Sequence, residues 1–130
     1  FSQLCAGVLA LHARGVVHLD LKPSNVMVLP DGRVVILDFG LIAEFDNQGS
    51  DKAHSMVVGT PAYMSPEQVT GSPMDHRSDI FSLGVVAYEM LAGVRPFDGD
   101  SDVAVIEKVR NCEPTPLKQN SPKTASTILI

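Results

Sequence analysis

A short hairpin pattern most strongly constrains how this 130-residue chain can fold. Two runs rich in β-branched residues, Val26–Leu29 and Val34–Leu37, are separated by Pro-Asp-Gly at positions 30–32. Proline presets φ in the turn, aspartate bonds its own backbone, and glycine tolerates a positive φ. The pattern therefore predicts an antiparallel hairpin that brings Asn25 beside Asp38 at its open end.

Polar side chains gather around that open end. The oxygen-bearing side chains of Asn25 and Asp38 suit a hard divalent cation such as Mg²⁺. Asp20 lies five residues before Asn25, where a carboxylate can accept a proton from a hydroxyl. Lys22, between them, can neutralise phosphate charge. The spacing indicates phosphoryl transfer.

These residues resemble the catalytic loop and metal-binding motif of protein kinases. The loop reads His-Leu-Asp-Leu-Lys-Pro-Ser-Asn at positions 18–25, and Asp-Phe-Gly follows at 38–40. Its Lys-Pro-Ser-Asn portion is similar to the serine/threonine branch. Residues 59–68 and 79–84 resemble the end of the activation segment and the start of the large buried helix in bacterial eukaryotic-like kinases.

The resemblance implies a role for each matching residue, with ATP and Mg²⁺ as cofactors and a protein as substrate. Asp20 would orient and deprotonate the acceptor hydroxyl, Lys22 would stabilise charge on the moving phosphoryl group, and Thr60 would bond both side chains. The residues expected to bind the cofactor are Lys22, Asn25, Met27 and Asp38, with Asn25 and Asp38 as metal ligands.

Leu19 departs from the family pattern, because the usual residue before the catalytic aspartate is an arginine. That arginine binds a phosphate on the activation loop and couples phosphorylation to order. Leu19 cannot make the contact, so we expect little ordering by a loop phosphate.

Composition narrows the classes of function. The chain has 10 basic and 15 acidic residues and a net charge of -5, so nucleic acid is an unexpected partner. Cys5 and Cys112 are far apart and are expected to be reduced and buried rather than to form a disulfide or zinc site. No apolar run approaches the roughly 20 residues of a membrane span, and we expect a cytoplasmic protein.

Helical patterns flank the loop region. Apolar residues at helical spacing precede Gly15, which is expected in a left-handed conformation at the helix end. The pattern is lost at 41–58, which predicts a solvated activation segment. A helix apolar on almost every face is predicted at Asp79–Leu91, and another at Val103–Arg110.

Three polar residues have predicted structural roles. His18, after a short strand, is expected to be a packed core residue. Ser65 is predicted to cap a helix with Gln68 in a capping box. Asp79 could be the N-cap of its helix, and the resemblance implies that it also bonds the catalytic-loop backbone.

The predicted fold is mainly α with a small β-hairpin, resembling the C-terminal lobe of a protein kinase without its N-lobe and last helices. Residues 1–116 are expected to form this partial domain, with a degenerate or truncated tail at 117–130. Because Glu67 lacks the arginine partner that the family provides, we expect the domain to continue past Ile130. The predicted function is part of a serine/threonine protein kinase. The alternative is a pseudokinase or truncated fragment acting only as an interaction module.

Overall fold

The computed structural model describes residues 1–37, the backbone of 43–44, and 59–117. This part of the chain is rich in helix and contains two small antiparallel sheets, which confirms the predicted class of helices with a small hairpin. None of its helices combines the length and apolarity that a bilayer crossing requires. The elements are α1 Ser2–His12, β1 Val16–Val17, β2 Val26–Val28, β3 Val34–Ile36, β4 Ala43–Glu44, α2 Pro66–Thr70, α3 His76–Ala92 and α4 Asp102–Arg110, with one-turn 3-10 helices at Pro23–Asn25 and Pro61–Tyr63.

The predicted hairpin is formed by β2 and β3. Val26 pairs with Ile36 and Val28 with Val34, and Gly32 takes the expected positive φ of 81° in the turn. The Leu37 N–H donates to the Asn25 carbonyl at 2.8 Å. Asn25 is thus opposite Leu37, one residue before Asp38, which itself lies outside the described residues.

A second sheet corrects the prediction of an unpatterned loop over residues 41–58. Ala43–Glu44 pairs antiparallel with Val16–Val17. Such a two-residue strand depends on backbone hydrogen bonds, which the side-chain pattern does not reveal. The other residues of this predicted loop lie outside the described part of the chain.

Helix α3 joins the two apolar clusters of the core. The first cluster brings α1, the catalytic loop and α3 together, and the second brings α3 against α4 and the 3-10 helix before α2. The buried members are Leu4, Val8, Leu21, Leu83 and Val86 in the first, and Ala62, Val85, Phe97, Val105 and Val109 in the second. Because one helix contributes to both clusters, it fixes the loop relative to α4.

The boundaries of α3 differ from the prediction. The helix begins at His76, with Asp75 as the N-cap whose side chain accepts the Arg77 N–H, so the assignment of Asp79 as N-cap is wrong. An aspartate one turn earlier takes the capping position. The apolar pattern does not bury every face of α3 within the described residues, because Ile80 is 55% exposed and Met90 43% exposed.

The predictions for Gly15, the final helix and the two cysteines concern the residues in and after α1 and α4. Gly15 has a φ of 74°, as expected, although α1 ends earlier, at His12. Helix α4 agrees with the predicted final helix, with Ser101 as its N-cap. Both cysteines are free, but Cys5 is only half-buried and Cys112 is exposed. Cys112 lies in the turn after α4, which explains why its expected burial is wrong.

Candidate active site

The loop between β1 and β2 brings three of the predicted site residues into direct contact. Lys22 Nζ lies 2.8 Å from Asp20 Oδ2 and 3.1 Å from Oδ1. Asn25 Nδ2 donates to the Asp20 carbonyl and to Asp20 Oδ2, each at 2.9 Å. The 3-10 turn that begins at Pro23 folds the chain back so that Asn25 reaches Asp20. The carboxylate is therefore held in one orientation by an ammonium and an amide.

His18 connects this loop to the end of the hairpin. It is fully buried, as predicted for a core residue. Its Nδ1 accepts the Asp20 N–H at 3.2 Å, so Nε2 carries the proton and donates to the Leu37 carbonyl at 3.2 Å. The imidazole thus fixes the Asp20 main chain relative to the strand that leads to Asp38.

Leu19 has an unusual backbone for a residue with a branched side chain. Its φ is 63°, in the left-handed region that bulky side chains rarely adopt. The side chain is buried. The Leu19 N–H donates to Asp79 Oδ1 at 2.8 Å, and the Leu19 carbonyl accepts from Gln68 Nε2 at 2.7 Å. Both peptide groups around Leu19 are therefore held by side chains from distant parts of the sequence.

Asp79 is fully buried and anchors the loop from α3. Its Oδ2 accepts the His18 N–H at 2.9 Å and lies 2.7 Å from His12 Nε2 on α1. These contacts confirm the expectation that Asp79 bonds the backbone of the catalytic loop. Sequence reasoning missed His12, because no local pattern links residues 67 positions apart.

The segment before the Pro61 turn passes beside Asp20. A Cβ placed on Gly59, whose φ is 147°, would lie 3.5 Å from Asp20 Oδ1. Thr60 follows and is half-buried. The hydrogen bonds of the described residues include none from the Thr60 hydroxyl to Asp20 or Lys22, so this contact stays a prediction.

The remaining cofactor-binding predictions fall partly outside the described residues. Met27 lies on β2 and is 46% exposed, so its side chain is accessible to a ligand.

Both described bonds of the Asn25 amide nitrogen go to Asp20, which leaves Oδ1 as the oxygen suited to a cation. Within the described ranges, no three His, Cys, Asp or Glu side chains meet as a metal site. The predicted site needs Asp38, which those ranges do not include.

Helix α2 begins with the predicted capping box. The Ser65 N–H donates to Gln68 Oε1 at 3.0 Å, and Ser65 Oγ accepts the Gln68 N–H at 3.4 Å. Glu67 in the same helix accepts the Ser78 hydroxyl at 2.5 Å, a partner that sequence reasoning missed. Glu67 also lines a cavity of about 420 Å³ together with Pro73, Phe81 and their neighbours.

Tyr63 joins this segment to α3. Its hydroxyl donates to Glu89 Oε2 at 2.6 Å. Burial, reinforced by that carboxylate, raises the pKa of Tyr63 to about 12. The phenol is therefore neutral at physiological pH and serves as a hydrogen-bond donor between the two elements.

Comparisons with known proteins agree with the catalytic-loop motif. The protein kinase domain family matches residues 1–128. The serine/threonine-protein kinase pkn3 of Myxococcus xanthus is 41% identical over 128 residues, which are 93% of this chain and 23% of that protein. A probable serine/threonine-protein kinase PknB of Corynebacterium glutamicum is 41% identical over 114 residues, 87% of this chain and 18% of that protein.

A third relative, the serine/threonine-protein kinase PknB of Mycolicibacterium smegmatis, is 40% identical over 116 residues, 88% of this chain and 19% of that protein. The chain thus spans about a fifth of the length of the curated relatives it matches. The geometry of the loop agrees with these matches. The chain therefore belongs to the protein kinase domain family, among the bacterial serine/threonine kinases.

Proposed function

We propose that the protein carrying this sequence transfers the γ-phosphoryl group of ATP to a serine or threonine hydroxyl of a protein substrate. The observation that carries the proposal is the Asp20 carboxylate, which is oriented by Asn25 and paired with Lys22. A carboxylate held in this way beside an ammonium suits a reaction that removes a proton and moves negative charge. The family membership of the chain supports the same reaction.

In the proposed reaction, Asp20 accepts the proton of the substrate hydroxyl. The hydroxyl oxygen forms a bond to the γ-phosphorus while the bond to the bridging oxygen of ADP breaks. Lys22 stabilises the charge on the transferred group, which its position within 3.1 Å of both Asp20 oxygens permits. Thr60 is proposed to bond Asp20 and Lys22 when substrate is bound.

Cofactor binding follows the chemistry of the side chains. Asn25 Oδ1 and the Asp38 carboxylate are oxygen ligands of the type that Mg²⁺ prefers, and Lys22 and Met27 are proposed to contact the nucleotide. Bound Mg²⁺ would neutralise phosphate charge on ATP. The proposal places the enzyme in the cytoplasm, where ATP is available. The rival interpretation as an interaction module is not favoured, since the relatives are named as kinases.

Substitution of the two aspartates in the full-length protein tests the proposal. Asp20→Asn removes the proton acceptor and Asp38→Asn removes a charged metal ligand, so each is expected to lower turnover by at least about 10². Asp31→Asn is the matched control, because Asp31 pairs with Arg33 on the surface of the hairpin turn. Phosphate transfer from labelled ATP is the measurement. Near-normal turnover of Asp20→Asn would refute the mechanism.

A further inference from the structure

We propose that Gln68 is a positioning residue for phosphoryl transfer, acting on Asp20 through the Leu19 carbonyl. The proposal rests on the proposed function and adds to it a residue on a different element, α2. Gln68 is 49 positions from Leu19 in sequence, yet its Nε2 lies 2.7 Å from the Leu19 carbonyl oxygen. That carbonyl belongs to the peptide group whose N–H is that of Asp20.

The backbone at Leu19 requires external support. A residue with a branched side chain in the left-handed region costs about 1–2 kcal/mol relative to ordinary backbone. The peptide group before Leu19 is held through its N–H by Asp79, and the group after it is held through its carbonyl by Gln68. The N–H of the second group also donates to His18 Nδ1 at 3.2 Å. Since these two groups define φ and ψ of Leu19, removing the Gln68 support leaves the longer bond to His18 as the one side-chain contact that the described residues give this peptide group, and loosens the direction in which Asp20 leaves the turn.

The orientation of the Gln68 amide is fixed by its neighbours. Its Oε1 accepts the Ser65 N–H at 3.0 Å while its Nε2 donates to the Leu19 carbonyl. If the amide were flipped, its NH₂ group would face the Ser65 N–H and its oxygen would face the Leu19 carbonyl. Neither contact would then be a hydrogen bond. The position therefore needs an acceptor and a donor on one planar group, which glutamine provides and glutamate, once ionised, does not.

This difference between glutamine and glutamate separates helix capping from loop positioning. Gln68→Glu retains an oxygen for the Ser65 N–H, so the capping box persists. The same change removes the donor to Leu19 and places a carboxylate against its carbonyl. A role limited to capping α2 predicts no effect of Gln68→Glu, whereas the positioning role predicts a specific loss of turnover.

The experiment measures kcat and KM of the full-length protein with Gln68→Glu at pH 7.5. We expect kcat to fall about tenfold, corresponding to one lost, partly buried hydrogen bond, with KM for ATP within about twofold of the unmodified enzyme. Thr70→Ala is the control, because Thr70 is exposed on the same helix and its hydroxyl bonds only its own turn and Ser72 among the described residues. Thr70→Ala is expected to retain full turnover.

The pH profile distinguishes positioning from general damage. As pH falls and the new side chain takes up a proton, it regains an O–H donor for the Leu19 carbonyl. The ratio of variant to unmodified turnover is therefore expected to rise toward one at acid pH. Unchanged kcat at pH 7.5, or a loss that shows no recovery with acid, would overturn the proposal.

Hydrogen exchange keeps this test independent of the proposed function. If the unmodified full-length protein transfers no phosphate, the proposed function fails. The positioning role is then tested by the hydrogen-exchange rate of the Asp20 amide. Gln68→Glu is expected to accelerate exchange of that amide about tenfold, since the peptide group loses the support of its carbonyl. An exchange rate equal to that of the unmodified protein would refute the positioning role directly.

Discussion

Asp79 is the residue on which the geometry of the catalytic loop most depends. Its carboxylate is fully buried but accepts two backbone N–H groups and contacts His12 Nε2. Charge-assisted bonds of this kind offset the cost of burying the carboxylate. An asparagine in its place has one acceptor oxygen and an NH₂ group that would face a backbone donor.

We therefore predict that Asp79→Asn lowers the free energy of unfolding by about 3 kcal/mol and removes most activity. Asp75→Asn is the matched control at the start of the same helix, because asparagine caps equally well and the ion pair that Asp75 forms with the exposed Arg77 contributes at most about 1 kcal/mol. Denaturant unfolding of both variants is the measurement. A loss at Asp79 no larger than that at Asp75 would contradict the anchoring role.

Tyr63 provides a prediction about alkaline pH. Its pKa rises from 10.0 to about 12 on folding, so the folded protein retains the proton more strongly than the unfolded chain. The stabilisation is complete below pH 10 and is lost as pH rises toward 12. In Tyr63→Phe the fall in unfolding free energy between pH 10 and 12 should be smaller, as measured by urea titration across that range. Identical pH slopes for both proteins would show that Tyr63 is not the titrating group.

At the scale of elements, one glycine inside α3 and one directly after it have opposite roles. Gly93 ends the helix at a φ of 72°, whereas Gly84 is inside the helix with open space where a Cβ would lie. We predict that Gly93→Ala destabilises the protein by about 1 kcal/mol and Gly84→Ala stabilises it by about 0.5–1 kcal/mol. Thermal unfolding of the two variants checks both signs. A loss at Gly84→Ala would indicate that another surface covers this face of α3 in the full-length protein.

The sequence was informative for most features that depend on neighbours in the chain, although the N-cap of α3 is Asp75 and not Asp79. The Pro-Asp-Gly turn predicted the hairpin, and Ser65 with Gln68 predicted the capping box, because both rely on bonds spanning a few residues. The contact of Asp20, Lys22 and Asn25 is likewise confined to one short loop.

Contacts between distant elements could not be predicted in the same way. The second bond of Gln68, to Leu19, appears only when α2 packs against the loop. The left-handed backbone at Leu19 is equally hidden, because leucine has no local preference for that region. Resemblance to the family, rather than any pattern in the chain, led to the expectation for Asp79.

At the scale of the whole molecule, the sequence lacks several parts of a nucleotide site. The sequence contains no Gly-rich phosphate-loop motif. The strands of the described residues contain no lysine of the kind that binds the α- and β-phosphates in kinases, and so no helix glutamate paired with such a lysine. We predict that the 130-residue chain, expressed alone, shows no measurable ATP binding by calorimetry, while the full-length protein binds. Micromolar affinity of the isolated chain would overturn this prediction.

The long span between the loop and its anchor also affects how the protein is made. Asp79 is 60 residues from Leu19, and ribosomes add about 5–20 residues per second, so the loop leaves the ribosome about 3–12 seconds before its anchor. The short-range contacts of Asp20 can form during that delay. The turn at Leu19 cannot be fixed until α2 and α3 have been synthesised and packed. During translation, the nascent chain therefore carries the complete set of loop side chains well before it can hold them in their final arrangement.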